Sequence, residues 1–319
     1  MILHLSKTPL VGAPGKISKF SREVMGIDSI HFCETDYPGD LKGIFLVESI
    51  CIGNDSEITY ALIKRIKKAS IIHVHNEISP QLTLLIKKHA NKNVNYIYHV
   101  HSPVKEGPNF IEKITGIGID FVKKLCVAQY HPRLYADYIP VPNIIDFQPS
   151  VNLLGNDEIP RVIFSPAHKR TGGRWNDKVS PKLTKVLHFL NEMKHIDLVI
   201  PGKVTPSTLY EIRKSCHITV DEIVTGGFHQ LSLEGLAAGN VVINNSDFIS
   251  NFYLEALSKG NQKSPFYTMN EENCYEKLIT LLENKDMIRE YQQKSYNFFT
   301  ENLNKSRMLE IYRGVYDIN

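Results

Sequence analysis

The segment from 220 to 245 contains a glycine pair, Gly226 and Gly227, and a glutamate seven residues later, Glu234. Its sequence is VDEIVTGGFHQLSLEGLAAGNVVINN. Its pattern predicts a strand, a glycine turn, a helix and a second strand. Gly226 and Gly227 permit a tight turn, and a helix that begins at about Phe228 offers unpaired backbone N–H groups that can bind a phosphate. Glu234, two turns further on, can accept hydrogen bonds from both hydroxyls of a ribose. The spacing fits a diphosphate and ribose site, and an ordinary βαβ crossover with a surface glutamate fits the same residues equally well.

Two histidine pairs alternate along predicted strands. His73 and His75 share one face of a strand, and so do His99 and His101. Histidines on neighbouring strands could bind a metal ion, but no cysteine or carboxylate with ligand spacing accompanies them. We therefore expect hydrogen-bonded histidines near the strand ends and no metal site. The Asp-x-Asp motif that holds a divalent ion on a diphosphate is absent, as is the Gly-x-Ser-x-Gly elbow of serine hydrolases.

Apolar runs rich in Ile and Val alternate with amphipathic stretches along the chain, which is typical of βα units that build a parallel sheet. The pattern occurs on both sides of residues 140–160, a stretch with four prolines that predicts a linker. We expect an α/β protein with two Rossmann-like doubly wound parallel-sheet domains facing a cleft that holds the ligand. The predicted boundaries are 1–147, 148–295 and a C-terminal helix, 296–319, that packs back on the first domain.

Composition limits the classes of function. The 319 residues are 42% hydrophobic, as in a folded protein, and the net charge of +3 is too small to argue for a nucleic-acid partner. Five cysteines without a CxxC pair predict reduced thiols in a cytoplasmic protein. No apolar run is long enough to span a membrane, and the N-terminal residues read as a strand rather than a signal peptide.

With these motifs the chain resembles the retaining GT-B glycosyltransferases of group 1, similar to family 4, as a divergent member. Their signature is Glu-Gly-Phe-Gly, four residues, then Glu-Ala-Met-Ala-x-Gly-x-Pro-Val. The residues that align with this signature are Gly227, Phe228, His229, Glu234, Gly235, Leu236, Ala237, Gly239, Val241 and Val242. Gly226 stands where the first Glu is expected, and Asn240 precedes Val241 where many members have Pro. The missing Glu typically contacts the donor sugar.

The resemblance implies how the donor is bound in the second domain. Arg174 and Lys178 lie in SPAHKRTGGRWNDK, residues 165–178, which is similar to the loop whose Arg and Lys bind the donor diphosphate. Two cations beside a helix N-terminus would stabilise the leaving nucleoside diphosphate without a metal ion. Backbone N–H groups of Gly227 to His229 are implied to contact the phosphates, and Glu234 the ribose. Arg170 competes with Arg174 for the role of the Arg. The alternative is a solvated basic loop, but a glycine-rich loop after a parallel strand favours the anion site.

In the first domain the match is looser. Residues 98–102, YHVHS, resemble the strand that carries the family histidine near the donor sugar, which assigns that role to His101. Residues 12–16, GAPGK, resemble the glycine loop under the phosphates, which assigns donor binding to Gly15.

The resemblance implies a metal-independent transferase that moves a sugar from a nucleoside-diphosphate-sugar to a glycan or lipid-linked acceptor with retention, in the synthesis of surface polysaccharide, lipopolysaccharide or another glycoconjugate. No cofactor and no nucleic-acid partner are expected. The lysine-rich stretch Lys64–Lys68, with Lys87 and Lys88, could contact an anionic membrane, at the inner face of the cell membrane. Two alternatives stay open: a non-catalytic sugar-nucleotide-binding protein, because Gly226 removes a sugar contact, and a nucleotide-sugar epimerase of the same fold.

Overall fold

The computed structural model describes residues 1–101, 114–129, 131–165 and 179–316. The chain divides into two compact units. Unit 1 comprises Met1–Ile144 and the chain from Met308 onward, and unit 2 comprises Ile145–Arg307. Each unit contains one sheet in which every strand pair is parallel, so the predicted fold class is confirmed.

Unit 1 is built around a seven-stranded sheet. Its strands are β1 (Ile2–Ser6), β2 (Ser29–Cys33), β3 (Ser49–Cys51), β4 (Ile71–His75), β5 (Asn95–Val100), β6 (Lys123–Val127) and β7 (Ile139–Val141). The helices that follow β1, β3 and β4 are α1 (Ala13–Glu23), α2 (Ser56–Lys68) and α3 (Pro80–His89). Every residue of β1 and of β4 is buried, as expected for strands covered on both faces.

Local sequence explains where these helices begin. The Asp55 carboxylate accepts the backbone N–H groups of Glu57 and Ile58 at the start of α2. The Ser79 hydroxyl caps α3 in the same way, and Pro80 occupies the first helical position, where no N–H is needed.

The strand order in unit 1 is β3-β2-β1-β4-β5-β6-β7. The order reverses between β1 and β4, because the chain moves outward in one direction from β1 to β3 and in the other from β4 to β7. Open parallel sheets bind ligands at such a switch point, outside the carboxyl ends of the strands. In unit 1 these ends are Ser6 and His75, which are aligned with each other in the β1–β4 pair.

Unit 2 contains a five-stranded sheet. Its strands are β8 (Arg161–Phe164), β9 (Asp197–Val199), β10 (Ile218–Val220), β11 (Val241–Asn244) and β12 (Tyr267–Thr268). The described helices of this unit are α4 (Pro181–Glu192), α5 (Pro206–Lys214), α6 (Gln230–Ala237), α7 (Phe248–Leu257), α8 (Cys274–Leu282) and α9 (Lys285–Asn302). The strand order is β12-β11-β10-β8-β9, which puts the switch point between β8 and β10.

A last helix, α10 (Lys305–Tyr316), crosses the division between the units at Met308. Within unit 1, Tyr312 of this helix is fully buried and its hydroxyl donates a hydrogen bond to the carbonyl of Pro142 at 2.9 Å. The Tyr312 ring centroid lies 6.0 Å from that of Phe20 on α1. The final turns of α10 are therefore part of the unit 1 core.

Candidate functional site

The chain leaves β10 through Asp221, which organises the turn before α6. This buried carboxylate accepts the backbone N–H of His229 at 2.7 Å and the hydroxyl of Ser232 at 2.8 Å through Oδ2, while Oδ1 lies 3.2 Å from Nδ1 of His229. The helix begins at Gln230, two residues later than the predicted start at Phe228. The reason is that His229 keeps an extended backbone while Asp221 holds its N–H.

Electrostatics keep Asp221 ionised. Burial by itself would raise the pKa of Asp221, but His229 and the hydrogen bonds from His229 and Ser232 hold the pKa below its usual range. An ionised Asp221 fixes the His229 tautomer with its hydrogen on Nδ1. The turn therefore presents an oriented imidazole next to the first N–H groups of a helix.

Gly226 sits at the tip of this turn with φ of 80°, in the left-handed region. Its carbonyl accepts the backbone N–H of Asp247 at 2.9 Å and the hydroxyl of Ser250 at 3.0 Å. The Glu222 carboxylate stabilises the residues before Gly226, because it accepts the backbone N–H of Thr225 at 2.8 Å. A glutamate at 226 would be strained in this conformation. The backbone thus accounts for the glycine at the position where the resembling family has its first Glu.

Glu234 is buried in an ion pair. Its Oε2 accepts a hydrogen bond from Nη1 of Arg213 at 3.0 Å, and its Oε1 accepts one from the side-chain amide of Gln230 at 2.7 Å. The side chains of Arg213 and Glu234 are only 1% and 5% exposed. Sequence reasoning missed Arg213, which lies on α5, because nothing in its local pattern indicates this partner.

The structure brings four predicted donor-binding residues together in unit 2. Gly227, Phe228 and His229 form the end of the turn, and Glu234 follows on α6. Phe228 is fully buried against Phe266, with ring centroids 5.1 Å apart, so its side chain has a packing role and only its backbone can serve a ligand.

Arg174 and Lys178 lie outside the described residues. The strand that precedes them, β8, pairs with β10, and Phe164 is aligned with Val220. Since parallel strands end at the same edge of a sheet, the segment that starts at Ser165 leaves the sheet beside Asp221. The contact of the two cations with a diphosphate stays a prediction.

In unit 1, His101 follows the end of β5. Its backbone N–H donates to Oδ1 of Asn76 at 2.7 Å, and its Nε2 lies 2.9 Å from Nδ1 of His75. Burial lowers the pKa of His101 to about 3, so the ring is neutral at physiological pH. Asn76 directly follows β4 and has a left-handed backbone with φ of 56°. Its side chain accepts the backbone N–H of His101, which connects the ends of β4 and β5.

His101 is one member of a larger cluster than the sequence predicts. Six histidines lie on four neighbouring strands or their ends: His4, His31, His73, His75, His99 and His101. Five of the six are fully buried, and His101 is half-buried. The histidines therefore lie along the buried strands and not only at the strand ends, where they were expected. Burial lowers the pKa of His31 to about 3 and holds the pKa values of His4, His73 and His75 well below their usual range.

Gly15 lies in the first turn of α1 and not in a loop. A Cβ at this position would come within 1.8 Å of the Val47 carbonyl oxygen and 2.7 Å of the Ser49 hydroxyl. Close packing of α1 against this backbone therefore accounts for the glycine. Its donor-binding role stays a prediction.

Comparison with solved structures finds a similar fold, over the whole chain, in several glycosyltransferases. An alpha-glucosyltransferase in complex with UDP and a 13-mer DNA containing a central A:G mismatch gives a TM-score of 0.61 at 11% identity, over 98% of each chain. A glycosyltransferase from Rickettsia africae ESF-5 gives 0.55 at 14% identity, over 99% of this chain and 97% of that chain. WaaG, a glycosyltransferase involved in lipopolysaccharide biosynthesis, gives 0.55 at 10% identity over 100% of both chains.

These likenesses show the fold, and the chain has the GT-B fold that the sequence motifs predicted. No protein-family model and no curated protein sequence matches the chain. Among the described residues, no helix is both long enough and apolar enough to cross a membrane.

Proposed function

We propose that the protein is a glycosyltransferase that uses a nucleoside-diphosphate-sugar donor. The observation that carries this proposal is the turn from Asp221 to His229, which lies at the switch point of a GT-B fold in unit 2. The turn offers backbone N–H groups at the start of α6, and it lies beside the end of β8, the strand that precedes Arg174 and Lys178 in the sequence. Anions bind at helix N-termini next to cations, which is the environment that a diphosphate requires.

Within this proposal the donor is held by parts with separate tasks. Arg174 and Lys178 neutralise the diphosphate, and backbone N–H groups of Gly227 to His229 contact its oxygens. Glu234 accepts hydrogen bonds from the ribose, with Arg213 holding the carboxylate in place. His101, a neutral imidazole, hydrogen-bonds the sugar. UDP is the first nucleotide to test, because the similar alpha-glucosyltransferase was solved in complex with UDP.

We propose transfer with retention and without a divalent ion on the diphosphate. The acceptor oxygen attacks the anomeric carbon, the bond from that carbon to the diphosphate oxygen breaks, and the acceptor proton passes to the departing phosphate. Arg174 and Lys178 stabilise the negative charge that develops on the leaving group. No residue has to act as a covalent nucleophile in this route.

We propose a glycan or lipid-linked acceptor of surface polysaccharide, lipopolysaccharide or similar glycoconjugate synthesis. Two aromatic rings of α7, Phe248 and Phe252, are 82% and 52% exposed, with centroids 6.3 Å apart. They follow Asp247, whose backbone N–H bonds to the Gly226 carbonyl, so they lie near the turn. Exposed aromatic faces suit a sugar ring or an apolar chain.

We propose a cytoplasmic protein that contacts the inner face of the cell membrane through basic residues of unit 1. The lysines on α2 and α3 that are exposed are Lys64, Lys67, Lys68, Lys87 and Lys88. Together they offer positive charge to anionic lipid, and their contribution would be screened by salt.

The first experiment measures thermal unfolding with UDP, GDP, ADP, CMP and their sugar conjugates, with and without a chelator. A ligand at 100 times its Kd stabilises the folded state by about 2.7 kcal/mol, which raises Tm by several degrees. We expect one nucleotide to raise Tm whether or not the chelator is present. If a folded protein responds to none of them, the proposed diphosphate site is wrong.

Variants connect binding to turnover. Lys178→Ala should reduce both the nucleotide-induced rise in Tm and the transfer of labelled sugar, while Lys185→Ala, which removes an exposed lysine of α4, should change neither. His101→Ala should abolish transfer and keep nucleotide binding. Transfer assays should include lipid-linked sugars, oligosaccharides and duplex DNA. Binding without transfer to any acceptor would favour the non-catalytic alternative, and transfer to DNA alone would overturn the proposed acceptor class.

A further inference from the structure

The histidine cluster of unit 1 contains a continuous chain of ring contacts. Nδ1 of His4 lies 3.0 Å from Nε2 of His75, and Nδ1 of His75 lies 2.9 Å from Nε2 of His101. His73 stacks on His75 with ring centroids 4.1 Å apart. One nitrogen each from His4, His73 and His75 lies within 4.8 Å of the other two.

Two of these rings each have one buried nitrogen without a hydrogen-bond partner among the described residues. Within the described part of the chain, Nε2 of His4 and Nε2 of His73 have no hydrogen-bond partner, although both residues are 0% exposed. The other nitrogen of each ring is engaged, because Nδ1 of His4 contacts His75 and Nδ1 of His73 lies 3.0 Å from the Tyr316 hydroxyl. Buried polar atoms in folded proteins nearly always have a partner.

The contacts at Nδ1 decide which nitrogen carries the hydrogen. A neutral imidazole has one N–H and one lone pair, and an orphaned buried N–H is rarer than an orphaned acceptor. Both His4 and His73 are therefore expected to carry hydrogen on Nδ1, which donates to His75 and to Tyr316 respectively. Each Nε2 then holds a bare lone pair inside the unit. Metal-binding histidines have this form, with the second N–H donated to a fixed partner.

We propose that His4, His73 and His75 bind one divalent transition-metal ion, for which Zn²⁺ is the probe. Imidazole nitrogens are preferred ligands of zinc, and three histidines with a water molecule complete a tetrahedral shell. Because His4 donates to Nε2 of His75, the lone pair of His75 is on Nε2 and its hydrogen is on Nδ1, which donates to His101. Metal binding therefore replaces the contact between His4 and His75 by a bond from Nε2 of His75 to the metal. Tyr316 is a positioning residue that orients His73.

The proposed zinc site lies in unit 1, and none of its three ligands is among the residues proposed to bind the donor. His75 does contact His101, which is proposed to hydrogen-bond the sugar. The zinc experiment is read by metal binding alone, so its failure leaves the glycosyltransferase proposal untouched, and failure of sugar transfer leaves the zinc site untouched.

The test titrates chelator-stripped full-length protein with Zn²⁺ by calorimetry and with Co²⁺ by visible absorption. We expect one ion per chain and the visible bands of tetrahedral Co²⁺ with nitrogen ligands. His73→Asn should abolish binding. Tyr316→Phe keeps all three ligands but removes the partner of Nδ1, and should weaken Zn²⁺ affinity by about 10- to 100-fold.

Two controls separate this site from adventitious binding. His31→Asn removes a buried histidine of the same sheet that does not belong to the group of three, and His188→Ala removes an exposed histidine of α4. Both should bind zinc as the natural sequence does. The proposal is overturned if no ion binds, if His188→Ala abolishes binding, or if Tyr316→Phe binds with unchanged affinity. Should His73→Asn fail to fold in chelator, Tyr316→Phe decides alone.

Discussion

The hydroxyl oxygen of Tyr316 lies 3.0 Å from Nδ1 of His73, although 243 positions separate the two residues in the chain. Both side chains are buried, one on the last helix and one on a central strand of unit 1. This contact connects the C-terminal turn of α10 to the histidine cluster and gives a polar group inside the core its hydrogen-bond partner.

Removing that hydroxyl should destabilise unit 1. Tyr316→Phe leaves Nδ1 of His73 buried without its partner, which costs about 1–3 kcal/mol of unfolding free energy. Urea unfolding in chelator measures the change. Tyr275→Phe is the matched control, because Tyr275 is 44% exposed and its substitution should change stability by less than about 0.5 kcal/mol. Equal costs in the two variants would show that the contact does not stabilise the fold.

Stability should fall steeply as the pH drops below 6.5. Burial lowers the pKa of His31 and of His101 to about 3, so the unfolded chain takes up protons that the folded chain does not. At pH 5 each of the two costs about 2 kcal/mol of stability, and the lowered pKa values of His4, His73 and His75 act in the same direction.

Urea unfolding between pH 7.5 and 5 in chelator measures this dependence. His31→Asn should give a shallower slope than the natural sequence, because one proton fewer is linked to unfolding. A stability that does not change over this range would contradict the neutral, buried state of the cluster.

Breaking the buried Arg213–Glu234 ion pair of unit 2 should lower the free energy of unfolding far more than breaking an exposed ion pair. Arg213→Met leaves the buried Glu234 carboxylate without its cation and should cost about 3–5 kcal/mol. Lys214→Met, at the next residue, breaks a pair with Glu211 that is 2.6 Å long and partly exposed, and should cost under about 1 kcal/mol. Denaturant unfolding of the two variants provides the comparison, and similar losses would argue against a special role for burial.

The same glycine-to-alanine change should have opposite effects in two helices. Gly15→Ala places a Cβ within 1.8 Å of the Val47 carbonyl oxygen and should destabilise the protein by more than about 2 kcal/mol. Gly314→Ala, in α10, meets no atom within 4 Å and should stabilise by about 0.5–1 kcal/mol through helix propensity. Thermal unfolding of both variants checks the signs. A tolerated alanine at 15 would mean that α1 does not press on residue 47.

Asp221→Asn should affect ligand binding as well as stability. The substitution removes the charge that accepts from His229 and Ser232, which costs about 1–3 kcal/mol, and it releases the His229 tautomer. The rise in Tm caused by the preferred nucleotide should shrink. Asp55→Asn is the control, since Asp55 caps α2 in unit 1 and asparagine caps a helix about as well, so both Tm and the response to nucleotide should stay nearly unchanged. An undiminished response in Asp221→Asn would remove this turn from the donor site.

The alternation of strands and helices could be predicted because most strands are buried on both faces and appear as apolar runs. Three strands, β3, β7 and β12, escaped prediction. Each has two or three residues and lies at an edge of its sheet, where fewer side chains need to be apolar. The predicted linker at 140–160 even begins within β7, because its prolines are compatible with an edge strand.

The candidate sites show a similar limit. The glycine turn and Glu234 are visible in the sequence because they occupy one local segment. The partnership of Glu234 with Arg213 depends on how α5 packs against α6, and no pattern in either helix encodes it. Likewise, His4 and His31 stand alone on their strands, so the period of two that reveals His73 and His75 gives no sign of them.

Because α10 supplies the final residues of unit 1, that unit is discontinuous along the chain. A ribosome would release all of Ile145–Arg307 before Tyr312 and Tyr316 could reach the sheet made from the first residues. The sheet of unit 1 would keep part of its core exposed to solvent while unit 2 folds. Unit 1 would therefore close only after unit 2 has been made, and a fragment cut at residue 144 would expose the histidine cluster on the side that Tyr316 covers.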